Sequence, residues 1–78
     1  MNTEELASII ESLLFVSGDP LSVARLARIA EVSEEETEQA LNALEESMFK
    51  ERRGLFLIRK DGGVLLASHP NYAAFVER

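Results

Sequence analysis

Residues 55–68 read Leu55-Phe56-Leu57-Ile58-Arg59-Lys60-Asp61-Gly62-Gly63-Val64-Leu65-Leu66-Ala67-Ser68. Two apolar runs, Leu55 to Arg59 and Val64 to Ser68, flank Lys60-Asp61-Gly62-Gly63. An Asp-Gly or Gly-Gly centre permits the primed turns whose twist matches that of paired strands, so the stretch predicts a β-hairpin. Side-chain alternation puts Leu55, Leu57, Val64 and Leu66 on one face and Phe56, Ile58, Leu65 and Ala67 on the other. That division holds whether the turn centres on Asp61-Gly62 or on Gly62-Gly63, because both registers keep the same parity.

Upstream of the hairpin the period changes to that of helices. A first helix is predicted from about Thr3 to Val16, with Leu6, Ile9, Ile10 and Leu13 as its buried face. Asn2 or Thr3 can cap it, and Glu4 and Glu5 suit its positive end. Ser17-Gly18-Asp19-Pro20 ends it, since Gly accepts φ > 0 and Pro cannot continue the ladder. Ser22 caps a second helix, where Leu21 can staple onto Leu26 and where Leu26, Ile29 and Ala30 face inward. Glu31-Val32 makes a tight turn. Ser33 and Glu36 form a capping box for a third helix, whose buried stripe is Ala40, Leu41, Leu44 and Met48. Downstream, His69-Pro70 connects to a last helical piece, Asn71 to Arg78, with Tyr72, Phe75 and Val76 on one side. It stops in mid-pattern, as expected of the N-terminal part of a longer two-domain protein.

The fold class is therefore mainly α with a β-hairpin. It is a winged helix-turn-helix with a three-helix core, a hairpin wing and the start of a C-terminal helix, all within one domain, 1–78.

Composition narrows what such a fold can do here. The chain has 78 residues, a net charge of −6 and no cysteine. Its balance argues against general affinity for nucleic acid or anionic membrane, and the absence of cysteine suits a reducing cytoplasm. No apolar run reaches the length of a spanning helix. The third helix stands where a helix-turn-helix protein reads DNA, yet residues 33–46 carry six carboxylates and no Lys or Arg. Phosphate contacts need cations or backbone donors, so that helix is repelled. Gln39 alone among its early residues could meet a base edge. Protein is the expected partner, and sequence-specific DNA binding is not. The alternative is a DNA-binding transcriptional regulator, with Arg52, Arg53, Arg59 and Lys60 as phosphate contacts. Those cations also serve as ordinary edge protection on a hairpin.

The apolar outer face of the hairpin is the main candidate interface, through Phe56, Ile58 and Leu65. The terminal helix, a second copy of the chain, a following domain or another protein could cover it. Phe15 lies opposite the core stripe of the first helix. Either it packs under the Gly18–Pro20 turn or it joins an interface. Glu34, Glu35, Glu36 and Glu38 point around their helix and do not converge on a metal. With one histidine, His69, beside Pro70, no nucleophile–base set or phosphate loop is found, so no enzyme activity and no cofactor are expected.

Two stretches resemble the segregation and condensation protein B family. One is Ile10-Glu11-Ser12-Leu13-Leu14-Phe15-Val16-Ser17-Gly18-Asp19-Pro20-Leu21-Ser22. The other is Arg53-Gly54-Leu55-Phe56-Leu57, continuing through Gly62-Gly63 to Pro70-Asn71-Tyr72-Ala73. The resemblance implies a non-catalytic winged-helix subunit of the bacterial complex built on a structural-maintenance-of-chromosomes (SMC) ATPase, acting in chromosome segregation and condensation. It implies a cytoplasmic, nucleoid-associated protein that forms a homodimer and binds the kleisin subunit, segregation and condensation protein A. Through the kleisin it would reach the ATPase. The match is to the first of two winged helices, which the family associates with dimer formation. The sequence departs from the family at Phe56, Leu65 and Ala67, where charged or polar residues are common. It departs again at Glu31, often Gly, where a residue with φ > 0 would be strained.

Overall fold

The computed structural model describes residues 1–51, 54–60 and 62–68, the side chain of Ser68 excepted. In chain order the elements are α1 (Thr3–Ser17), β1 (Leu21–Ser22), α2 (Val23–Ala30), α3 (Glu34–Lys50), β2 (Leu55–Lys60) and β3 (Gly63–Ser68). Three helices and a small antiparallel sheet make the winged helix that the sequence predicts.

Each helix starts where its cap requires. Asn2 Oδ1 accepts from the Glu5 backbone N–H at 2.8 Å, and Ser22 Oγ from that of Arg25 at 3.1 Å. At α3 the capping box closes in both directions. Ser33 Oγ accepts from the Glu36 N–H at 3.0 Å, and Glu36 Oε1 accepts from the Ser33 N–H at 3.2 Å. Such a cap is worth roughly 0.5–2 kcal/mol. Gly18 ends α1 in the left-handed region, φ 71°. α2 closes differently. The Val32 N–H donates to the Ala27 carbonyl and the Glu31 N–H to that of Arg28, which is the Schellman pattern, with Glu31 at φ 59°, ψ 44°. A glutamate thus holds the left-handed position that glycine normally fills.

The core gathers Leu6, Ala7, Ile10 and Leu14 of α1, Leu26 of α2, and Ala40, Leu41, Leu44 and Met48 of α3. Leu57 and Val64 of the sheet close it. Buried Thr37 is satisfied locally, its hydroxyl donating to the Ser33 carbonyl at 2.9 Å. Two inward assignments need correction. Ile9 is 40% exposed and Ile29 47% exposed. α1 packs through Leu6, Ile10 and Leu14, four residues apart, with the small Ala7 beside them, which rotates Ile9 outward. α2 buries Leu26, as expected, together with Ala27, and Ala30 packs against the core, so that of the three inward assignments on this helix only Ile29 turns outward.

The sheet also has a strand that the sequence did not reveal. β1 pairs with β3 (Leu21↔Val64, Ser22↔Gly63), giving the order β1-β3-β2. The hairpin register runs from Leu55↔Ser68 to Lys60↔Gly63, so Leu57, Leu66 and Val64 share the core side, as the alternation requires. The two glycines of the hairpin do different work. Gly62 takes φ 77° in the connection. Gly63 allows a close approach, because a Cβ there would lie 2.7 Å from Pro20 Cβ.

Candidate protein interface

The residues singled out for an interface fall into two groups. Phe56, Ile58, Leu65 and Ala67 share the outer face of the β2–β3 hairpin, as the register demands, and each is half-buried. The face is therefore more sheltered than alternation alone suggested. The terminal helix that was one candidate cover, with its connector His69-Pro70, lies outside the described residues. Phe15 is a separate case. It remains 74% exposed, so the Gly18–Pro20 turn does not cover it. Beside it Val16 is 82% exposed, and Phe49 near the end of α3 is 85% exposed. Neither was singled out beforehand. Phe49 could have been found from the helical wheel, since it follows Met48 by one position and falls off the Leu41–Leu44–Met48 stripe.

Of the four wing cations proposed as phosphate contacts, Arg59 is engaged within the chain. Arg59 Nη2 lies 2.8 Å from Glu38 Oε1, and Nη1 lies 3.4 Å from Oε2. This pair straps β2 to α3 and commits the guanidinium within the chain. Both side chains are nearly half exposed, so the pair contributes only about 0.2–1 kcal/mol. Lys60 is exposed beside it, while Arg52 and Arg53 lie outside the described residues.

The acidic surface of α3 has local causes. Glu34, Glu35 and Glu36 occupy its first turn, where the helix dipole favours anions. Further along, Lys50 Nζ sits 2.8 Å from Glu46 Oε1. That hydrogen bond, and then the charge of Lys50, hold the Glu46 carboxyl below the usual glutamate range, and Lys50 is raised in return. Among the described residues, no group of three His, Asp or Glu side chains could hold a metal ion, and no helix is long and apolar enough to cross a membrane. Exposed aromatics, a half-buried apolar sheet face and a wing arginine already paired with a glutamate favour contact with protein over contact with DNA.

Comparison with known proteins agrees. The family described as segregation and condensation complex subunit ScpB matches residues 8–78. Segregation and condensation protein B of Carboxydothermus hydrogenoformans is 34% identical over 73 residues, which cover 94% of this chain and 40% of that protein. Its counterpart from Geobacillus thermodenitrificans is 36% identical over 72 residues, 91% of this chain and 34% of that protein. The chain thus spans two-fifths or less of these relatives. A crystal structure of a dimer of the ScpB N-terminal domain complexed with ScpA peptide superposes with a TM-score of 0.85 at 35% identity. It covers 91% of this chain and 89% of its own. ScpB from Mycobacterium tuberculosis, 22% identical, shares the fold with a TM-score of 0.90 over 99% of this chain and 48% of its own.

Proposed function

Because this chain belongs to the segregation and condensation complex subunit ScpB family, we propose that it is a non-catalytic dimerising scaffold of the bacterial SMC–kleisin complex, acting in chromosome segregation and condensation. It is a single winged helix that forms the N-terminal part of a longer two-domain protein, cytoplasmic and associated with the nucleoid. Its partners are a second copy of itself and the kleisin, and through the kleisin the SMC ATPase. The observation that carries this reading is the 35%-identical domain matched almost end to end, which is a dimer holding an ScpA peptide.

The residues that hold the two copies together are Phe56, Ile58 and Leu65, with Phe15 second. Removing apolar surface from water yields roughly 25 cal/mol per Å², and aromatic side chains supply the largest areas. Charge placed in such a contact is left without solvent or partner. Phe56→Glu is therefore expected to shift the chain towards monomer in native mass spectrometry, with its helix content by circular dichroism preserved. A variant as dimeric as the parent would remove the hairpin face from the interface. A parent that is itself monomeric would remove the dimer.

A further inference from the structure

Helix α2 carries an arginine that its own stability does not explain. α1 and α3 open on glutamates, as the helix dipole favours, whereas α2 has no acidic residue in its first turn. Arg25 stands there instead, at the positive end, where a cation is disfavoured. Arg28 lies one turn later on the same side, and Ile29, four residues beyond Arg25 and next in sequence to Arg28, is 47% exposed. Leu26 and Ala27 take the buried side. Neither guanidinium is in an ion pair among the described residues, although the chain has 14 acidic side chains against 8 basic ones. Glu31, exposed at the end of the helix, pairs with neither.

We propose that this outward face of α2 docks a short acidic segment of a protein partner, with Arg25 and Arg28 taking carboxylates and Ile29 an apolar side chain. Charge complementarity selects the chemistry: two uncommitted guanidinia share an exposed face with an apolar side chain, on the one helix among the described residues that has no acid. Size selects a segment over a globular surface. Eight residues of helix extend about 12 Å, and three side chains fall far short of the roughly 800 Å² per partner of a standard interface. Duplex DNA is the competing ligand. It is disfavoured because α2 packs on α3, whose first turn carries Glu34, Glu35 and Glu36. The inference does not depend on the proposed homodimer, whose residues lie on α1 and on the hairpin.

The test is fluorescence anisotropy of the whole chain with two labelled probes. One is a synthetic peptide with glutamates and leucines at helical spacing, and the other is a short random-sequence duplex. The peptide is expected to bind in a salt-sensitive manner. The double variant Arg25→Glu/Arg28→Glu should weaken it by at least about tenfold, and Ile29→Ser should weaken it by a smaller factor. Circular dichroism should stay unchanged in both variants, and Arg25→Glu alone should melt no lower than the parent, since an acid suits that turn. Three results would overturn the proposal: no peptide binding, equal binding by the folded variants, or tighter binding of the duplex than of the peptide.

Discussion

Replacing Glu31 by glycine is expected to stabilise the fold, and the magnitude can be assembled from its backbone. At φ 59°, ψ 44° the Cβ of Glu31 crowds the following carbonyl, which costs about 1–2 kcal/mol for a residue other than glycine. Glycine removes that strain but adds freedom to the unfolded chain, which takes back about 0.5–1 kcal/mol. The substitution also removes a carboxylate from the negative end of α2, a gain of at most about 0.3–1 kcal/mol for an exposed group. The balance is a stabilisation of about 1 kcal/mol, which raises the Tm of a domain this size by about 4–8 °C. Glu31→Ala separates the two causes, because it removes the charge and keeps the Cβ. Urea and thermal unfolding of the three proteins measure both effects. If Glu31→Gly is no more stable than Glu31→Ala, the backbone strain does not exceed the chain entropy that glycine adds, and the reasoning fails.

Two further outcomes follow from the geometry. Gly63→Ala pushes a methyl to 2.7 Å from Pro20 Cβ, with the Pro20 carbonyl carbon at 3.2 Å and the Leu21 nitrogen at 3.3 Å, so the β1–β3 crossing must open. Overpacking of this kind costs about 1–3 kcal/mol, and amide exchange at Leu21 and Val64 should accelerate relative to the helical core. For Glu46, the folded-state pKa is depressed, so its contribution is present above the ordinary glutamate value and disappears as pH falls through the lowered one. A carboxyl titration by NMR should therefore find Glu46 below the ordinary glutamate value, and Lys50→Ala should raise it back towards that value.

Much of the fold was legible because short-range chemistry specifies it. The Ser33–Glu36 box, the Asn2 and Ser22 caps and the parity of the hairpin all depend on residues a few positions apart, and each stands where the sequence places it. What was missed depends on distant partners. Leu21-Ser22 becomes a strand only because β3 passes beside it, and no period marks two residues as a strand. Ile9 and Ile29 fit an apolar spacing, yet the packing angles of α1 and α2 turned them out. The candidate interface was legible in part for the same reason. Alternation identifies which hairpin side chains share the outer face. It does not measure how far they are sheltered, nor that Arg59 folds back onto Glu38, twenty-one positions away. Arg25 and Arg28 escaped notice because their significance rests on Ile29 facing outward, which only the packing of α2 determines.

The unequal placement of charge links fold to function. A winged helix brings its third helix and wing forward together, the arrangement by which DNA readers approach a groove. Here the third helix is acidic, and Arg59 of the wing is paired with Glu38 of that helix. Among the described residues, Phe15, Val16 and Phe49 are the most exposed large apolar side chains. That combination fits a domain that works by holding other proteins.

Sedimentation equilibrium of the unaltered chain over a range of loading concentrations tests this most directly. The account predicts a mass close to twice 8.7 kDa that persists on dilution and at raised salt, because the association draws on apolar burial. A mass of 8.7 kDa at every concentration would contradict it.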